Sequence, residues 1–485
     1  MSVTLPVALL GNGSLLATFS EHGRVEQLWW PHPDHARPAP AFDLEATTFE
    51  QSYVDGAQIL RSVAGELVIE DVVHDTEPVL LRRVSHNGTA VVHSFPTELD
   101  EPFDRVLERR RELDTARLAS AKPALRQSDP RLYERSLLVF DALADRVTGA
   151  VIAAPECDPQ YEHSGGYGFV WPRDLAFGVL AFLAAGRRDL AVPALRWLVR
   201  AQQPSGLWLQ RYHTDAGPAP SWCTHQLDET ASALFVYEAA WRELRDRALD
   251  TELWPSARRA ADFLLEAIAD EGVPIDTYDL WEEREGSHAY TAASFVGALR
   301  AAACFAERHE PGLRSVYADA AERAGTVLER CFWSDEHGRY LRTLGDPTID
   351  ASLLGLAWPF AAVDPRGERM RATAAAVDRA LGRPGGGLLR YESDTYAGGN
   401  PWILAALWLG LYRRQIGDSD GHARALAYAE RVATPLGLLA EQVTDDGTPA
   451  WVLPLAWSHA MFVLASRPEL DLVRDSAESL VRVAR

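Results

Sequence analysis

Residues 276–290 read DTYDLWEEREGSHAY, a polar and aromatic stretch between two long segments of helical apolar period. Trp281 is followed at once by Glu282 and Glu283. Neighbours on an extended loop point different ways, so this pair offers two differently placed carboxylates, one able to act as an acid and the other to bind hydroxyls. Glu441 stands apart, because the LLAEQV around it is mostly apolar and disfavours an idle charge. Hydrolysis of a glycosidic bond needs two such groups: a protonated carboxyl gives the leaving oxygen its proton, and a carboxylate acts on water or on the sugar. Spacings of about 6.5–9.5 Å admit a water and give inversion, whereas about 5–5.5 Å gives retention. Asp174, Asp228, Glu229, Asp279, Glu282, Glu283, Glu392, Asp394 and Glu441 all fall in loops, so chemistry alone leaves several pairs open.

The chain has 15 tryptophans, and Trp171, Trp208, Trp222, Trp281, Trp402 and Trp451 each sit beside a carboxylate, Arg, Gln or Asn in a polar loop. A sugar ring has apolar C–H faces and an equator of hydroxyls, so its site interleaves aromatic platforms with planar hydrogen-bonding groups. Other chemistries find little support. No GxGxxG follows a strand, and Gly385, Gly386 and Gly387 precede no phosphate-loop Lys. His225, His288 and His459 are separated singletons without a metal-binding spacing, and no GxSxG elbow occurs. No metal and no cofactor is expected.

These loops need a scaffold, and the period of the sequence supplies one. Residues 1–145 carry short β-branched and aromatic runs, including SLLATFSE, GRVEQLWW, ELVIEDVVH, PVLLRRVSHNGTAVVHSF and RSLLVFDAL, and predict an antiparallel β-sandwich. Asn87-Gly88 is a hairpin signal. Residues 29–34, WWPHPD, could form a loop that closes over a site in the second domain. Residues 146–169 read as a linker leading into a barrel over 170–485. There the period turns helical, near 174–187, 190–202, 227–245, 254–270, 290–308, 311–330, 349–362, 368–380, 399–414, 420–433, 451–466 and 469–484. Every second joining region, starting before 174, is rich in Trp, Tyr, Gly and carboxylates; the others are short and bland. Six helical hairpins in a ring, an (α/α)6 barrel, would gather all the rich loops at one end.

Length and composition fit this two-domain division: 485 residues, 47% hydrophobic and 24% charged. A net charge of −21 gives no general attraction for nucleic acid or an anionic bilayer. Cys157, Cys223, Cys304 and Cys331 form no CxxC pair and read as buried thiols. The N-terminal MSVTLPVALLGNG lacks basic residues before its apolar run, and no uninterrupted apolar segment approaches the roughly 20 residues of a membrane span. A cytoplasmic protein with a small saccharide substrate is expected; the sequence says nothing of its oligomeric state.

Read in order, the loops resemble glycoside hydrolase family 15, the glucoamylase and glucodextranase group, over most of residues 165–465. Tyr167-Gly168-Phe169-Val170-Trp171-Pro172-Arg173-Asp174 is similar to the family's Tyr-x-x-x-Trp-x-Arg-Asp segment, and Trp222 with Asp228 fits the next aromatic and carboxylate loop. Asp279-Leu280-Trp281-Glu282-Glu283 is the most specific match. Arg390-Tyr391-Glu392-Ser393-Asp394-Thr395-Tyr396 with Gly399-Asn400-Pro401-Trp402 resembles a later block, and Ala440-Glu441-Gln442 matches the position of the family's general base.

The resemblance implies exo attack on an α-glucoside with inversion, releasing β-D-glucose. It makes Glu282 the general acid, Glu441 the base that activates water, and Glu283 a ligand for the sugar on the leaving side. Arg173 and Asp174 would hold the terminal glucose, and Arg390 would contact sugar hydroxyls. Tyr167, Trp171, Trp222, Asp228, Trp281, Asp394, Tyr396 and Trp402 complete the expected binding set. Glu282 must stay protonated, which burial against Trp281 and the proximity of Glu283 would both favour. The compact form points toward isomaltose and short isomalto-oligosaccharides. α-1,4-Glucosides, α,α-trehalose and a non-catalytic saccharide-binding role stand as alternatives.

Overall fold

The structure is a computed structural model that describes residues 5–29, 36–37, 48–156, 158, 161–223, 225–269 and 272–470. Residues 1–4 and 30–34, Cys157 and the last expected helix beyond residue 470 lie outside the described residues. The chain begins with β1 (Ala8–Gly11), β2 (Leu16–Phe19), β3 (Val25–Trp29) and β4 (Ala36–Arg37), paired antiparallel in that order. A second antiparallel sheet follows as a five-stranded meander: β5 (Glu50–Tyr53), β6 (Ile59–Ala64), β7 (Leu67–Val73), β8 (Leu80–His86) and β9 (Thr89–Phe95). Asn87 and Gly88, both at positive φ, turn β8 into β9 as the sequence predicts. Leu10, Ala17, Phe19 and Leu28 of the first sheet meet Leu60, Val73 and Leu80 of the second in one core.

Two helices come next, α1 (Phe103–Ser120) and α2 (Pro130–Leu143). Phe103, Val106 and Leu107 of α1 cover Ile59, Val72 and Leu81 on the second sheet's other face. The run RSLLVFDAL, expected as a strand, is the C-terminal half of α2. The reason is local: the Asp129 side chain accepts the Arg131 N–H and Pro130 takes the first helical position, which together start a helix.

The remaining chain winds through α3 (Pro172–Ala185), α4 (Arg188–Ala201), α5 (Leu227–Leu244), α6 (Arg247–Glu266), α7 (Ala289–His309) and α8 (Arg314–Cys331). After a short 3-10 helix (Ala351–Leu356) come α9 (Glu368–Leu381), α10 (Ile403–Ile416), α11 (Ser419–Val432) and α12 (Ala456–Ala465). The inner elements pack in sequence as a closed ring: α3 on α5, α5 on α7, α7 on the 3-10 helix, the 3-10 helix on α10, α10 on α12, and α12 back on α3. They are buried on nearly all sides, whereas α4, α6, α8, α9 and α11 bury one face each and form the outer layer. The outer position beside α12 belongs to α2.

The helix expected over 349–362 contracts to the 3-10 helix, because Pro359 lacks the N–H that a longer α-helix would use. α7 has the length and hydropathy of a membrane span, but 89% of that window is buried inside the ring.

Candidate active site

The rich loops all lead into the N-terminal ends of the inner elements, and main-chain contacts tie each to the next. Val170 pairs with Tyr212, Tyr278 N–H donates to His225 O, His288 pairs with Thr343, Asp350 with Tyr391, and Trp402 with Gln442. Ala456 N–H closes the circle on Ala153 O at 2.8 Å. Helix N-termini carry partial positive charge, so the first turns of α3 and α5 favour Asp174, Asp228 and Glu229.

Inside this rim is a cavity of ≈ 290 Å³. Twelve of the fourteen expected site residues line it: Tyr167, Trp171, Arg173, Asp174, Trp222, Trp281, Glu282, Glu283, Arg390, Tyr396, Trp402 and Glu441. The other two stand behind it and hold its arginines. Asp394 clasps Arg390 through two hydrogen bonds of 2.8 Å, and Asp228 accepts from Arg173 at 2.9 Å. Of the six loop tryptophans, Trp208 is instead a core residue that donates to Leu198 O. Trp451 buttresses the site, its Nε1–H reaching Tyr396 Oη at 3.1 Å.

Glu282 sits at φ 67°, a left-handed backbone costing on the order of 1–2 kcal/mol for a residue with a Cβ. The turn is held by Asp279, whose carbonyl accepts Glu282 N–H and whose Oδ1 accepts Glu283 N–H. The two adjacent carboxyls diverge. Glu283 turns to Arg390 (2.7 Å), Arg284 (3.3 Å) and the Tyr391 hydroxyl. Glu282 Oε1 accepts from Trp171 Nε1 at 2.7 Å and Arg173 Nη2 at 3.4 Å, and its Oε2 accepts from Gln210 Nε2 at 2.5 Å. Burial pushes Glu282 above the usual carboxyl range, opposed by Arg173 and by Trp171. Glu283, expected from the sequence to add to this rise, is not among its main causes and faces Arg390 and Arg284 instead. Trp281 turns its Nε1–H to Asp350 at 3.0 Å.

Glu441 is 3% exposed. Its Oε1 accepts the Tyr167 hydroxyl at 3.0 Å, and its Oε2 is buried with no hydrogen-bond partner. Burial pushes this carboxyl up to about 8 against the pull of Arg390 and Tyr167. Asp174 is likewise pushed up to about 7 by burial, with Arg173 opposing and Glu282 adding to the rise.

Arg173 is the electrostatic hub. Its guanidinium lies 2.9 Å from Asp228, 3.0 Å from Glu229, 3.4 Å from Glu282 and 3.7 Å from Asp174, over the ring of Trp457 at 5.6 Å. Glu229 also accepts the Arg173 main-chain N–H, and burial holds its carboxyl well above the usual range. With one cation among four buried carboxyls, all four are raised above the usual carboxylate range, burial being the main cause.

Several site residues escape the sequence reading. Trp457 and Leu455 line the cavity from the start of α12, a stretch whose apolar run reads as helix core. Gln210 and Arg211 lie in the rich loop SGLWLQRYHTD, but nothing in the spacing singles them out. Arg211 stacks among Phe169, Trp171 and Trp222 at 4.5–5.4 Å, and Trp222, 47% exposed at the rim, donates to Glu282 O at 3.1 Å. His288 and His459 serve the scaffold, bound to Thr343 and Ser136. Among the described residues no cluster of His, Cys, Asp and Glu is arranged to hold a metal.

A model of the glycosyl hydrolases family 15 matches residues 198–430. An uncharacterized glycosyl hydrolase of Methanocaldococcus jannaschii, MJ1610, is 30% identical over 361 residues, which is 70% of this chain and 57% of the relative. An isomaltose glucohydrolase of Kribbella flavida is 33% identical over 247 residues, 47% of this chain and 61% of that protein. A glucoamylase of Clostridium sp. is 27% identical over 383 residues, 69% of this chain and 52% of that protein. The chain thus spans between half and two thirds of the length of these relatives. A bacterial glucoamylase solved with acarbose shares the fold, with a TM-score of 0.78 at 18% identity, covering 96% of this chain and 94% of the other.

Proposed function

From this homology to the glycosyl hydrolases of family 15, we propose that the chain is an inverting, exo-acting α-glucosidase of the glucoamylase type, releasing β-D-glucose from nonreducing ends. The observation that carries the reading is the meeting of Glu282 and Glu441, from loops far apart in the chain, in one aromatic-walled cavity with Arg173, Asp174 and Arg390. Glu282, whose carboxyl burial shifts toward the protonated form, gives its proton to the glycosidic oxygen. Glu441, once ionised, takes a proton from water through Oε2, the buried oxygen that has no other partner. Tyr167 steadies the opposite oxygen. Arg173 and Asp174 grip the terminal ring, and Trp171, Trp402 and Trp457 cover its apolar faces.

Short α-1,4-glucosides are the first substrate class, because the glucoamylase relative aligns over 383 residues and the isomaltose glucohydrolase over 247. α-1,6 and α,α-1,1 linkages follow. Proton NMR of the protein with maltose, isomaltose and trehalose in turn tests all of this within the first minutes. The expected result is β-glucose first, fastest from maltose, and nearly no turnover in Glu282→Gln or Glu441→Gln. Initial α-glucose would overturn inversion; retained activity in both variants would overturn the assignment of the pair.

A further inference from the structure

The roles above make no use of Gln210, although it touches the acid itself. Its side chain is 1% exposed, with Nε2 donating to Glu282 Oε2 at 2.5 Å and Oε1 accepting from the Ser221 hydroxyl. Ser221 Oγ in turn lies 3.2 Å from the Cys223 carbonyl and accepts Cys223 N–H at 3.1 Å. A primary amide has a donor at one end and an acceptor at the other, and half a turn about its last bond makes its nitrogen and oxygen trade places while the rest of the side chain stays where it is. A hydroxyl has one donor and two lone pairs and adapts to either arrangement.

We propose that Gln210 and Ser221 form a reversible clamp that holds Glu282 in one position through both of its protonation states. This rests on the reading of Glu282 as the general acid. When Glu282 is ionised, Ser221 O–H donates to Gln210 Oε1 and Gln210 N–H donates to the carboxylate, as the structure has them. When Glu282 is protonated, its Oε2–H donates to Gln210 Oε1, Gln210 N–H donates to Ser221 Oγ, and Ser221 O–H turns to the Cys223 carbonyl. Glu282, Gln210 and Ser221 each keep a hydrogen-bond partner in both arrangements. No proton crosses the amide, which only turns.

The other oxygen explains why the clamp belongs where it is. Glu282 Oε1 faces the indole N–H of Trp171 and the guanidinium of Arg173, two donors that cannot become acceptors. The acid's proton therefore resides on Oε2, the oxygen with a reversible partner. As that proton passes to the glycosidic oxygen, the amide presents N–H to the new carboxylate. The carboxyl is held for the next cycle within the fraction of an ångström that proton transfer requires, since a 1 Å misplacement costs about 100-fold in rate.

The test compares the better of maltose and isomaltose, whose leaving group needs a proton, with α-D-glucosyl fluoride, whose leaving group does not. Gln210→Met keeps the length of the chain and removes both the N–H and the C=O. It is expected to lower kcat/KM on the disaccharide about 10- to 100-fold and on the fluoride less than about 3-fold. The alkaline limb of the disaccharide profile should move by less than about half a pH unit, because both states of Glu282 lose a partner equally. Ser221→Ala, at an exposed position, should give the same pattern more weakly.

An equal fall on both substrates would mean Gln210 only packs the site, and would overturn the clamp. So would unchanged kinetics in both variants. A rise of the alkaline limb by more than about one pH unit in Gln210→Met would reveal a fixed donor to the carboxylate and equally overturn it. Wild-type protein that turns over neither substrate would overturn the glycosidase reading itself, an outcome distinct from the others.

Discussion

Replacing Glu441 by Gln preserves the side chain's shape and removes its charge, and should stabilise the fold in a pH-dependent way while abolishing turnover. Burial holds the Glu441 carboxyl at about 8 in the fold, against 4.5 for an ordinary Glu. The folded chain thus binds this proton more tightly than the unfolded one, and the stability so gained is present below about pH 4.5 and lost as pH rises through 8. Gln carries no such term. At about 1.4 kcal/mol per pH unit across that window, the variant should gain about 3–5 kcal/mol on wild type between pH 5 and pH 9. With an unfolding entropy near 1 kcal/mol/K for a chain of this length, that is about 3–5 °C in Tm. Calorimetry of both proteins at pH 5 and pH 9 measures it, alongside glucose release at pH 7. A Tm difference that is the same at both pH values would refute the reasoning, for the carboxylate would then be no worse placed in the fold than in water.

The same burial bears on activity: kcat/KM should have its acid limb well above pH 4.5, set by Glu441, and a rate profile already flat at pH 5 would contradict this. Asp228→Ala removes one buried charged hydrogen bond from Arg173, which keeps three other carboxyls, and should destabilise the fold by about 1–3 kcal/mol, read from urea unfolding, with loss of turnover. Gly399→Ala forces a Cβ into the Asp394 carbonyl at a positive-φ position. It should lower kcat/KM by displacing the Asp394–Arg390 clasp, and wild-type kinetics would show that the clasp does not depend on this turn. Trp457→Ala removes a wall of the cavity and should raise KM more than it lowers kcat, by steady-state kinetics.

Much of the fold is legible in the sequence because the inner and outer helices keep the helical period over long runs, and because every second loop differs in kind from its neighbours. Where runs are short, the period fails. Leu137, Leu138, Val139 and Phe140 read as a strand, and only Asp129-Pro130 before them betrays α2. Residues 351–356 read as part of a long helix until Pro359 is given its due.

In the site, the segments around Arg173, Glu282 and Arg390 are legible because carboxylates, arginines and aromatics crowd at fixed spacings. What the sequence does not carry is depth. Nothing in it separates Asp228 and Asp394, which hold arginines from behind, from residues that face the cavity. Nor does it separate Trp457 from an ordinary core tryptophan. Gln210 is invisible for the same reason, since its importance lies in a contact with Glu282 that folding creates.

The closure of the ring by α12, which packs on α3 and against α2, has a consequence for how the protein is made. Synthesis at about 5–20 residues per second means that roughly 10–30 s separate the emergence of Glu282 from that of Glu441. During that interval α3, α5 and α7 exist without α12, and their buried faces, including Phe177, Leu180 and Phe295, lack a seal. The Ser136–His459 hydrogen bond joins residues 323 positions apart, so it can form only near the end of translation. A ribosome-bound chain halted after α10 should therefore recruit hydrophobic-binding chaperones, and release them once the segment carrying α12 has left the exit tunnel.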